Sequence, residues 1–219
     1  ITSVLLPKKK IKAKIISRED GILAGVRFAR EIFRLKGCHT RVTKKDGAKI
    51  KPNQIILQVS GDAKAVLSCE RTVLNLLARM SGIATQTSLL VSKIRKINRK
   101  TKLYSTRKTA PGLRFFDKEA VAIGGGHKHR MSLNDMVMIK DNHLLVSNSI
   151  ENITKNARKQ HRDVEVEVEN QRDAMIAASS GATIVMLDNF SPAQIKKTIS
   201  ALQKKKLRNK VKLEASGGI

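Results

Sequence analysis

The chain has 219 residues, of which 41% are hydrophobic and 28% are charged, a balance typical of a folded globular protein rather than a disordered one. Its 44 Lys and Arg residues against 18 Asp and Glu residues give a net charge of +26, a field that attracts anions. No apolar stretch approaches the roughly 18 residues that a membrane-spanning helix requires, so we expect no membrane partner.

Aromatic content and cysteine usage narrow the function classes further. Aromatic residues make up 3% of the chain and Trp is absent, although single-stranded nucleic acids are usually held on aromatic side chains. We therefore expect no specific nucleic-acid partner, and a nonenzymatic basic nucleic-acid-binding protein stays a distant alternative. Cys38 and Cys69 are far apart without metal-ligand spacing, and the opening residues lack a secretory signal, which predicts a reducing, cytoplasmic location.

The first part of the chain, residues 1–80, is predicted to form an α+β domain. Short alternating runs such as IKAKIIS predict strands, and Asp46-Gly47 predicts a turn between two of them. Apolar residues at a 3–4 spacing predict a helix over residues 25–36 and a helical region over residues 65–97. Gly82 is expected to mark a break in that region or a close approach between two helices.

The second part, residues 81–219, is predicted to form an α/β domain, because short apolar strands alternate with helices after residue 100. The predicted strands are 103–106 (LYST), 136–140, 164–169, 183–188 and 212–216, and the predicted helices are 149–160, 171–179 and 191–204. Such alternation favours parallel pairing in a barrel or an open sheet. Five strands are too few to close a barrel, and the sequence stops at SGGI where a helix should begin. We therefore expect an incomplete α/β barrel, truncated at its ends.

Polar residues follow the predicted strands at their carboxyl ends, where parallel α/β folds bind ligands. Arg107-Lys108, Lys140 and Asp188 occupy such positions, and Ser216 begins an SGG sequence that offers backbone N–H groups to a phosphate. Arginine presents a bidentate fork to carboxylate or phosphate, which makes Arg107 a candidate anion ligand.

Five of the acidic residues cluster between positions 163 and 173. In VEVEVE the period of two places Glu165, Glu167 and Glu169 on one face of a strand, where three carboxylates repel one another unless cations or a metal neutralise them. Oxygen ligands suit Mg²⁺, which commonly binds through one or two carboxylates plus substrate phosphates. A ladder of salt bridges to lysines is the structural alternative.

The glycine-rich stretch GGGHKHR, residues 124–130, allows two interpretations. His127 and His129, with His143 as a third ligand, could bind zinc, but no cysteine or HExxH motif accompanies them. A glycine-rich loop that carries His129 and Arg130 is better suited to hydrogen bonding with an anionic ligand.

Taken together, these motifs resemble the quinolinate phosphoribosyltransferase family. The matching segments occur in family order from one end of the chain to the other, and the second runs for about forty residues with few departures, which makes the match specific. They are ERTVLNLLARMSGIATQT, STRKTAPGLRFFDKEAVAIGGGHKHRMSLNDMVMIKDNHL, VEVEVEN, IVMLDNFSP and EASGGI.

The resemblance implies a sandwich-like N-terminal domain, an incomplete barrel and a homodimer with shared active sites, or a hexamer built from such dimers. It also implies an enzyme that joins quinolinate to 5-phosphoribosyl 1-diphosphate with Mg²⁺. The products would be nicotinate mononucleotide, diphosphate and CO₂, on the de novo route to NAD. A paralogue associated with molybdenum transport is the alternative within the family. It would lack carboxylate-binding arginines, whereas Arg107 and Arg130 are both present here.

Residue roles also follow from the resemblance. The two carboxylates of quinolinate would meet a cationic pocket of Arg71, Arg107, His129, Arg130 and Lys140, with Arg71 reaching in from the neighbouring subunit. Lys108 would serve the phosphoribosyl diphosphate, Glu167 and Asp188 the metal and the ribose hydroxyls, and Ser216, Gly217 and Gly218 the 5-phosphate. Lys108, Lys140, Glu167 and Asp188 are the expected catalytic residues, acting by positioning and charge stabilisation without a covalent nucleophile.

Overall fold

The computed structural model describes residues 9–132 and 135–217. The chain divides into two compact units, Ile1–Met131 (unit 1) and Ser132–Ile219 (unit 2). The domain boundary after residue 80 suggested by the sequence falls inside a helix of unit 1, and it stays a prediction.

Two small antiparallel sheets begin unit 1. Strands β1 (Lys10–Ile16) and β3 (His39–Val42) both pair with β5 (Ile55–Asp62), and β2 (Gly21–Ile22) pairs with β4 (Lys49–Ile50). Strand β1 alternates exposed Lys with partly buried Ile and Ala, the pattern of a sheet with one face covered.

Two helices cover these strands. Helix α1 (Val26–Leu35) buries Val26, Ala29 and Phe33, which recur at the 3–4 spacing of one helix face, and this confirms the helix expected over 25–36. Helix α2 (Ala63–Ile97) begins where the Asp62 side chain accepts a hydrogen bond from the Lys64 N–H. The shared core includes Leu57, Val59, Val66, Val73 and Leu77.

Helix α2 is continuous through Gly82, so the expected break or close approach at that residue is wrong. A Cβ atom at Gly82 would have no neighbour within 4 Å. The close approach lies at Gly124 instead, where a Cβ atom would sit 2.5 Å from the Ala84 carbonyl oxygen. Gly124 directly follows helix α3 (Arg114–Ile123), which packs on α2 through a cluster of Ala24, Met80, Ala84 and Ala120.

The predicted LYST strand is reduced to an isolated parallel bridge between Tyr104 and His127. The His127 N–H donates to the Leu103 carbonyl at 2.8 Å, and the Ser105 N–H donates to the His127 carbonyl at 2.9 Å. A longer ladder does not form because His129, with φ 50°, leaves the extended conformation that the next pair would need.

Unit 2 is built on a four-stranded parallel sheet in the order β6-β7-β8-β9. Its strands are β6 (Val137–Ile139), β7 (Val164–Val168), β8 (Ile184–Asp188) and β9 (Lys212–Ser216). Helices connect them: α4 (Asp141–Ser147), α5 (Ile150–Gln160), α6 (Gln171–Ser179) and α7 (Pro192–Lys204). The alternation read from the sequence is thereby confirmed, and within residues 135–217 the sheet does not close into a barrel.

The core of unit 2 lies between this sheet and its helices. Buried Val164, Val166 and Val168 of β7 pack with small buried residues of α6, chiefly Ala174 and Ala177. The whole fold is therefore mixed α/β, with antiparallel sheets in unit 1 and a helix-covered parallel sheet in unit 2. No helix in the described part of the chain has the length and apolar character that crossing a bilayer demands.

Candidate active site

Four strands of unit 2 end at one edge of the parallel sheet, and candidate ligands occupy these ends. Asp188 and Ser216 are the last residues of β8 and β9, and they are paired in the register of the two strands. Lys140 follows β6 directly. Because parallel strands place their carboxyl ends at the same edge, this edge collects a cation, a carboxylate and a hydroxyl.

The acidic residues of β7 lie on the sheet face opposite the valine core. Glu167 pairs with Met186 in the register of β7 and β8, and Asp188 lies two residues beyond Met186, so both carboxylates belong to one face. Glu165 shares that face and is fully buried. Glu169 is exposed and lies beyond the end of the strand, so the expected row of three carboxylates contains two.

Lys140 and Glu167 form an ion pair across neighbouring strands. The Lys140 Nζ donates to Glu167 Oε2 at 2.5 Å, while the Lys140 backbone N–H donates to His143 Nδ1 at 3.0 Å. The strand end and the first turn of α4 thus hold the lysine from its backbone. Glu167 Oε1 accepts no hydrogen bond from a residue that the structure describes, which leaves one carboxylate oxygen for a ligand.

The loop after β8 is shaped by Asn189, whose φ is 55°. Its Nδ2 donates to Asp188 Oδ2 at 2.9 Å, and its backbone N–H donates to the Ser216 carbonyl at 2.8 Å. Gly217 has φ 112°, and a Cβ atom there would lie 2.2 Å from Asn189 Oδ1, so only glycine fits. Gly218, the last residue of the expected phosphate loop, lies outside the described residues.

In unit 1, Arg107 and Lys108 follow the Tyr104 bridge. Arg107 is partly buried, and its buried Nε has no hydrogen-bond partner among the described residues. A buried unpaired donor is costly, which marks this guanidinium as a group that an anionic ligand would satisfy. Lys108 is exposed, and its backbone N–H donates to Thr106 Oγ1 at 3.1 Å.

His129 and Arg130 follow the glycine-rich turn of the same unit. The His129 ring packs edge-on against Tyr104 with 5.7 Å between ring centroids. Arg130 is buried, with 8% of its surface exposed. Arg130 and His129 therefore lie on one segment, and the backbone of that segment pairs with residues 103–105 through the bridge between Tyr104 and His127.

Arg71 lies inside helix α2, about two turns after the helix begins at Ala63. Its side chain is exposed and, within the described ranges, it makes no ion pair or hydrogen bond, including with its neighbour Glu70. An exposed cation without a partner among the described residues is available to another molecule.

The sequence analysis overlooked Lys118, a lysine of α3 with no exposed surface. Its Nζ donates to Ser105 Oγ at 2.9 Å and to the carbonyl oxygen of Lys128. No clear signal was available in the sequence, because Lys118 stands between Asp117 and Glu119 in α3, and only the tertiary contacts show that its ammonium points inward.

A second overlooked pair stabilises the same region. The Arg79 Nε and Nη2 donate to the two carboxylate oxygens of Asp117 at 2.7 Å and 2.8 Å, which joins α2 to α3. Asp117 is nearly buried, and its hydrogen bonds from Arg79 hold the pKa of that carboxyl below its ordinary value. The Ala110 N–H, close to Arg107 and Lys108, also donates to Asp117.

Each unit therefore gathers part of the expected site. Unit 2 brings carboxylates, an ammonium and backbone donors to one sheet edge: Lys140, Glu167, Asp188, Ser216 and Gly217. Unit 1 places the guanidinium groups, an ammonium and an imidazole on two adjoining segments: Arg107, Lys108, His129 and Arg130. Cationic groups suit a carboxylate substrate, and the sheet edge suits a phosphorylated sugar and a hard cation.

Comparison with known proteins yields matches along the whole chain. The family model described as quinolinate phosphoribosyl transferase, N-terminal domain, matches residues 1–81, and the corresponding C-terminal domain model matches residues 83–219. A probable nicotinate-nucleotide pyrophosphorylase (carboxylating) from Archaeoglobus fulgidus is 43% identical, over 98% of this chain and 83% of its own length. The human nicotinate-nucleotide pyrophosphorylase (carboxylating) is 37% identical, over 95% of this chain and 70% of its own length.

Comparison of the fold with solved structures points to the same family. The solved structure of the nicotinate-nucleotide pyrophosphorylase from Francisella tularensis superposes with a TM-score of 0.89 at 38% identity, covering 100% of this chain and 77% of that protein. Both family models together span the sequence, and the relatives exceed the identity at which fold and family are shared. The chain belongs to the quinolinate phosphoribosyl transferase family.

Proposed function

We propose that this protein is a nicotinate-nucleotide pyrophosphorylase (carboxylating), an enzyme of de novo NAD biosynthesis. It transfers phosphoribosyl from 5-phosphoribosyl 1-diphosphate to quinolinate and releases diphosphate and CO₂. Family membership and the names of the relatives support this activity. The structural observation that carries it is the buried Arg107 Nε, a guanidinium donor without a described partner on a segment that also presents Lys108.

Quinolinate is a pyridine with two neighbouring carboxylates, so its recognition requires several cations. Arg107 and Arg130 offer paired N–H donors, which match a carboxylate in bidentate geometry. His129 and Lys140 supply further donors, and Arg71 completes the set. We assign these five residues to the dicarboxylate because all of them lie in segments matched to the family. Arg71 and Arg107 belong in addition to a stretch, residues 71–114, that carries eleven Lys and Arg residues and no acidic residue.

The phosphoribosyl diphosphate requires both donors and carboxylates. Lys108 binds the diphosphate. The backbone N–H groups of Ser216, Gly217 and Gly218 bind the 5-phosphate, as in other glycine-rich phosphate loops. Glu167 and Asp188 accept the ribose hydroxyls. Their positions on one sheet face let them serve the same ligand.

The same two carboxylates fit Mg²⁺. Glu167 keeps Oε1 and Asp188 keeps Oδ1 without a described hydrogen-bond partner, and carboxylate oxygens are the ligands that this cation prefers. Glu167 and Asp188 would hold Mg²⁺ together with the substrate, and the ion would neutralise charge on the diphosphate leaving group. The Lys140 ammonium beside Glu167 limits the negative charge of the site before substrate arrives.

The chemistry needs no nucleophile from the protein. The pyridine nitrogen attacks C1 of ribose as the bond to diphosphate breaks, through an oxocarbenium-like transition state. The carboxylate next to the ring nitrogen then leaves as CO₂, and the electron pair left on the ring carbon takes a proton. Holding the two substrates in line supplies about 7–11 kcal/mol of the barrier reduction in well-oriented systems. The cations stabilise the developing diphosphate charge.

Assembly belongs to the proposal as well. Arg71 is exposed and unpaired among the described residues, and we assign it to the active site of a second subunit in a two-fold dimer. Association of such dimers into a hexamer and a cytoplasmic location stay predictions.

Product formation tests the activity. The protein is incubated with quinolinate, 5-phosphoribosyl 1-diphosphate and Mg²⁺, and nicotinate mononucleotide is quantified by chromatography. A matched reaction with Glu167→Ala shows whether product comes from this site rather than from a contaminant. Absence of quinolinate-dependent product from the folded wild-type protein would overturn the proposed activity.

A further inference from the structure

Lys118 places a positive charge in the interior of unit 1, which ordinarily destabilises a fold unless the charge is hydrogen-bonded. A Leu or Met at this position would fill the space without that penalty. A buried charge of this kind is therefore weak support for stability, and a role in specifying local geometry is the alternative.

The contacts of Lys118 join two separate segments. Its Nζ donates to Ser105 Oγ at 2.9 Å and to the Lys128 carbonyl, and Ser105 Oγ itself donates to the Lys128 carbonyl at 2.6 Å. Ammonium, hydroxyl and carbonyl thus form one closed network. The backbone bond from the Ser105 N–H to the His127 carbonyl lies beside it.

Each end of this network lies next to a proposed quinolinate ligand. Arg107 follows Ser105 by two residues, and the Lys128 carbonyl belongs to the peptide bond that leads into His129 and Arg130. His129 has φ 50°, a conformation that a residue other than glycine keeps only when its surroundings fix it. The two donors on the Lys128 carbonyl fix the plane of the peptide that precedes it.

We propose that Lys118 is a positioning residue for the recognition of the pyridine dicarboxylate, an inference that rests on the proposed function. By locking Ser105 to the Lys128 carbonyl, the ammonium sets Arg107 against His129 and Arg130. Small misplacement of binding groups can cost about 100-fold in rate, so a group remote from the substrate can control its use. Lys118 contacts no substrate in this assignment and acts through the two segments.

The test is Lys118→Met, with Lys128→Met as the matched control. The control removes the ammonium of the residue that carries the same carbonyl but leaves the network intact, because the Lys128 side chain bonds to Glu119 instead. Both variants are studied well below their Tm, with the folded fraction verified by circular dichroism. The readouts are the quinolinate Kd by calorimetry, the separate KM values for both substrates, and kcat.

We expect Lys118→Met to weaken quinolinate binding about 10- to 100-fold, the loss typical of charge-assisted hydrogen bonds, with a smaller change in KM for 5-phosphoribosyl 1-diphosphate. Lys128→Met should stay within about three-fold of wild type, as surface substitutions usually do. Should Lys118→Met fail to fold, Ser105→Ala serves in its place. It removes the hydroxyl from the same network and leaves the Lys118 ammonium in the protein.

The outcomes separate the two proposals. A lower Tm with an unchanged quinolinate Kd, in Lys118→Met or in Ser105→Ala, would make the network purely structural and overturn the positioning role. Equal losses in Lys118→Met and Lys128→Met would overturn it as well. Wild-type protein that neither binds nor uses quinolinate would instead overturn the proposed function itself.

Discussion

The Lys140 ammonium and the Glu167 carboxylate form an ion pair that links the end of β6 to β7 at the carboxyl edge of the parallel sheet. The pair leaves Glu167 Oε1 without a described partner, so the carboxylate can hold the lysine and a second cation or hydroxyl together. This arrangement separates the roles of the two residues. Lys140 is assigned to the carboxylate substrate and Glu167 to the phosphoribosyl substrate.

Glu167→Gln should therefore impair use of 5-phosphoribosyl 1-diphosphate while quinolinate still binds. The amide oxygen can still accept from Lys140, but the negative charge for the metal and the ribose hydroxyls is lost. We expect kcat/KM for the phosphoribosyl substrate to fall about 10- to 100-fold, the cost of one charge-assisted hydrogen bond. Glu169→Gln, at an exposed position beyond the strand, is the control and should have little effect.

Steady-state kinetics and quinolinate calorimetry check this prediction. Collapse of quinolinate affinity in Glu167→Gln, with phosphoribosyl use unchanged, would show that the carboxylate has been assigned to the wrong substrate.

Arg71 should act across the subunit interface, because it is exposed and makes no ion pair with a described residue of its own chain. Arg71→Ala and Glu167→Ala are each expected to be inactive. Co-expressed in equal amounts, they should form mixed dimers in about half of cases, each with one intact site, which restores roughly a quarter of wild-type activity. If mixed dimers are shown to be present and no activity returns, Arg71 acts within its own chain.

The Gly217 backbone should tolerate no side chain. A Cβ atom there would lie 2.2 Å from Asn189 Oδ1, and the φ of 112° is itself unfavourable for alanine. Gly217→Ala should raise KM for 5-phosphoribosyl 1-diphosphate and destabilise the fold by about 1–3 kcal/mol. Gly37→Ala is the control, since it shares a positive φ of 71° but has nothing within 4 Å. Equal effects of the two substitutions on KM would show that the loop at Gly217 does not bind the 5-phosphate.

Asp117 should make the free energy of unfolding depend on pH in the acidic range. Its hydrogen bonds from Arg79 lower the pKa of Asp117 from its ordinary value of 3.8, so the folded state favours the charged carboxylate. The resulting stabilisation is complete above that value and is lost as pH falls through the lower folded pKa. Asp117→Asn should cost about 1–3 kcal/mol in the free energy of unfolding at neutral pH.

Urea unfolding at a series of pH values measures this effect. The difference between wild type and Asp117→Asn should shrink as the solution is acidified below the ordinary Asp pKa. A difference that stays constant with pH would mean that the ionisation of Asp117 does not contribute to stability.

Local patterns were sufficient to predict most of unit 2. Short apolar runs placed the strands around Glu167 and Asp188 correctly, and the helix expected over 191–204 is α7. Ser191 caps this helix, because its hydroxyl accepts a hydrogen bond from the Gln194 N–H. These features depend on near neighbours in sequence. The errors concern contacts between segments that are distant in sequence. The close approach lies at Gly124 against Ala84 rather than at the exposed Gly82, and Lys118 is buried because a carbonyl ten residues away accepts a hydrogen bond from it.

Quinolinate, the proposed substrate, is a pyridine with two carboxylates, one of which is lost in the reaction. We would supply the protein with 5-phosphoribosyl 1-diphosphate and either quinolinate labelled in the carboxylate beside the ring nitrogen or nicotinate, and measure nucleotide and released CO₂ together. Nicotinate forfeits at least one charge-assisted hydrogen bond, worth about 1.5–3 kcal/mol. We expect equal amounts of nicotinate mononucleotide and CO₂ from quinolinate and far slower turnover of nicotinate. Comparable turnover of nicotinate, or nucleotide formed from quinolinate without CO₂, would contradict it.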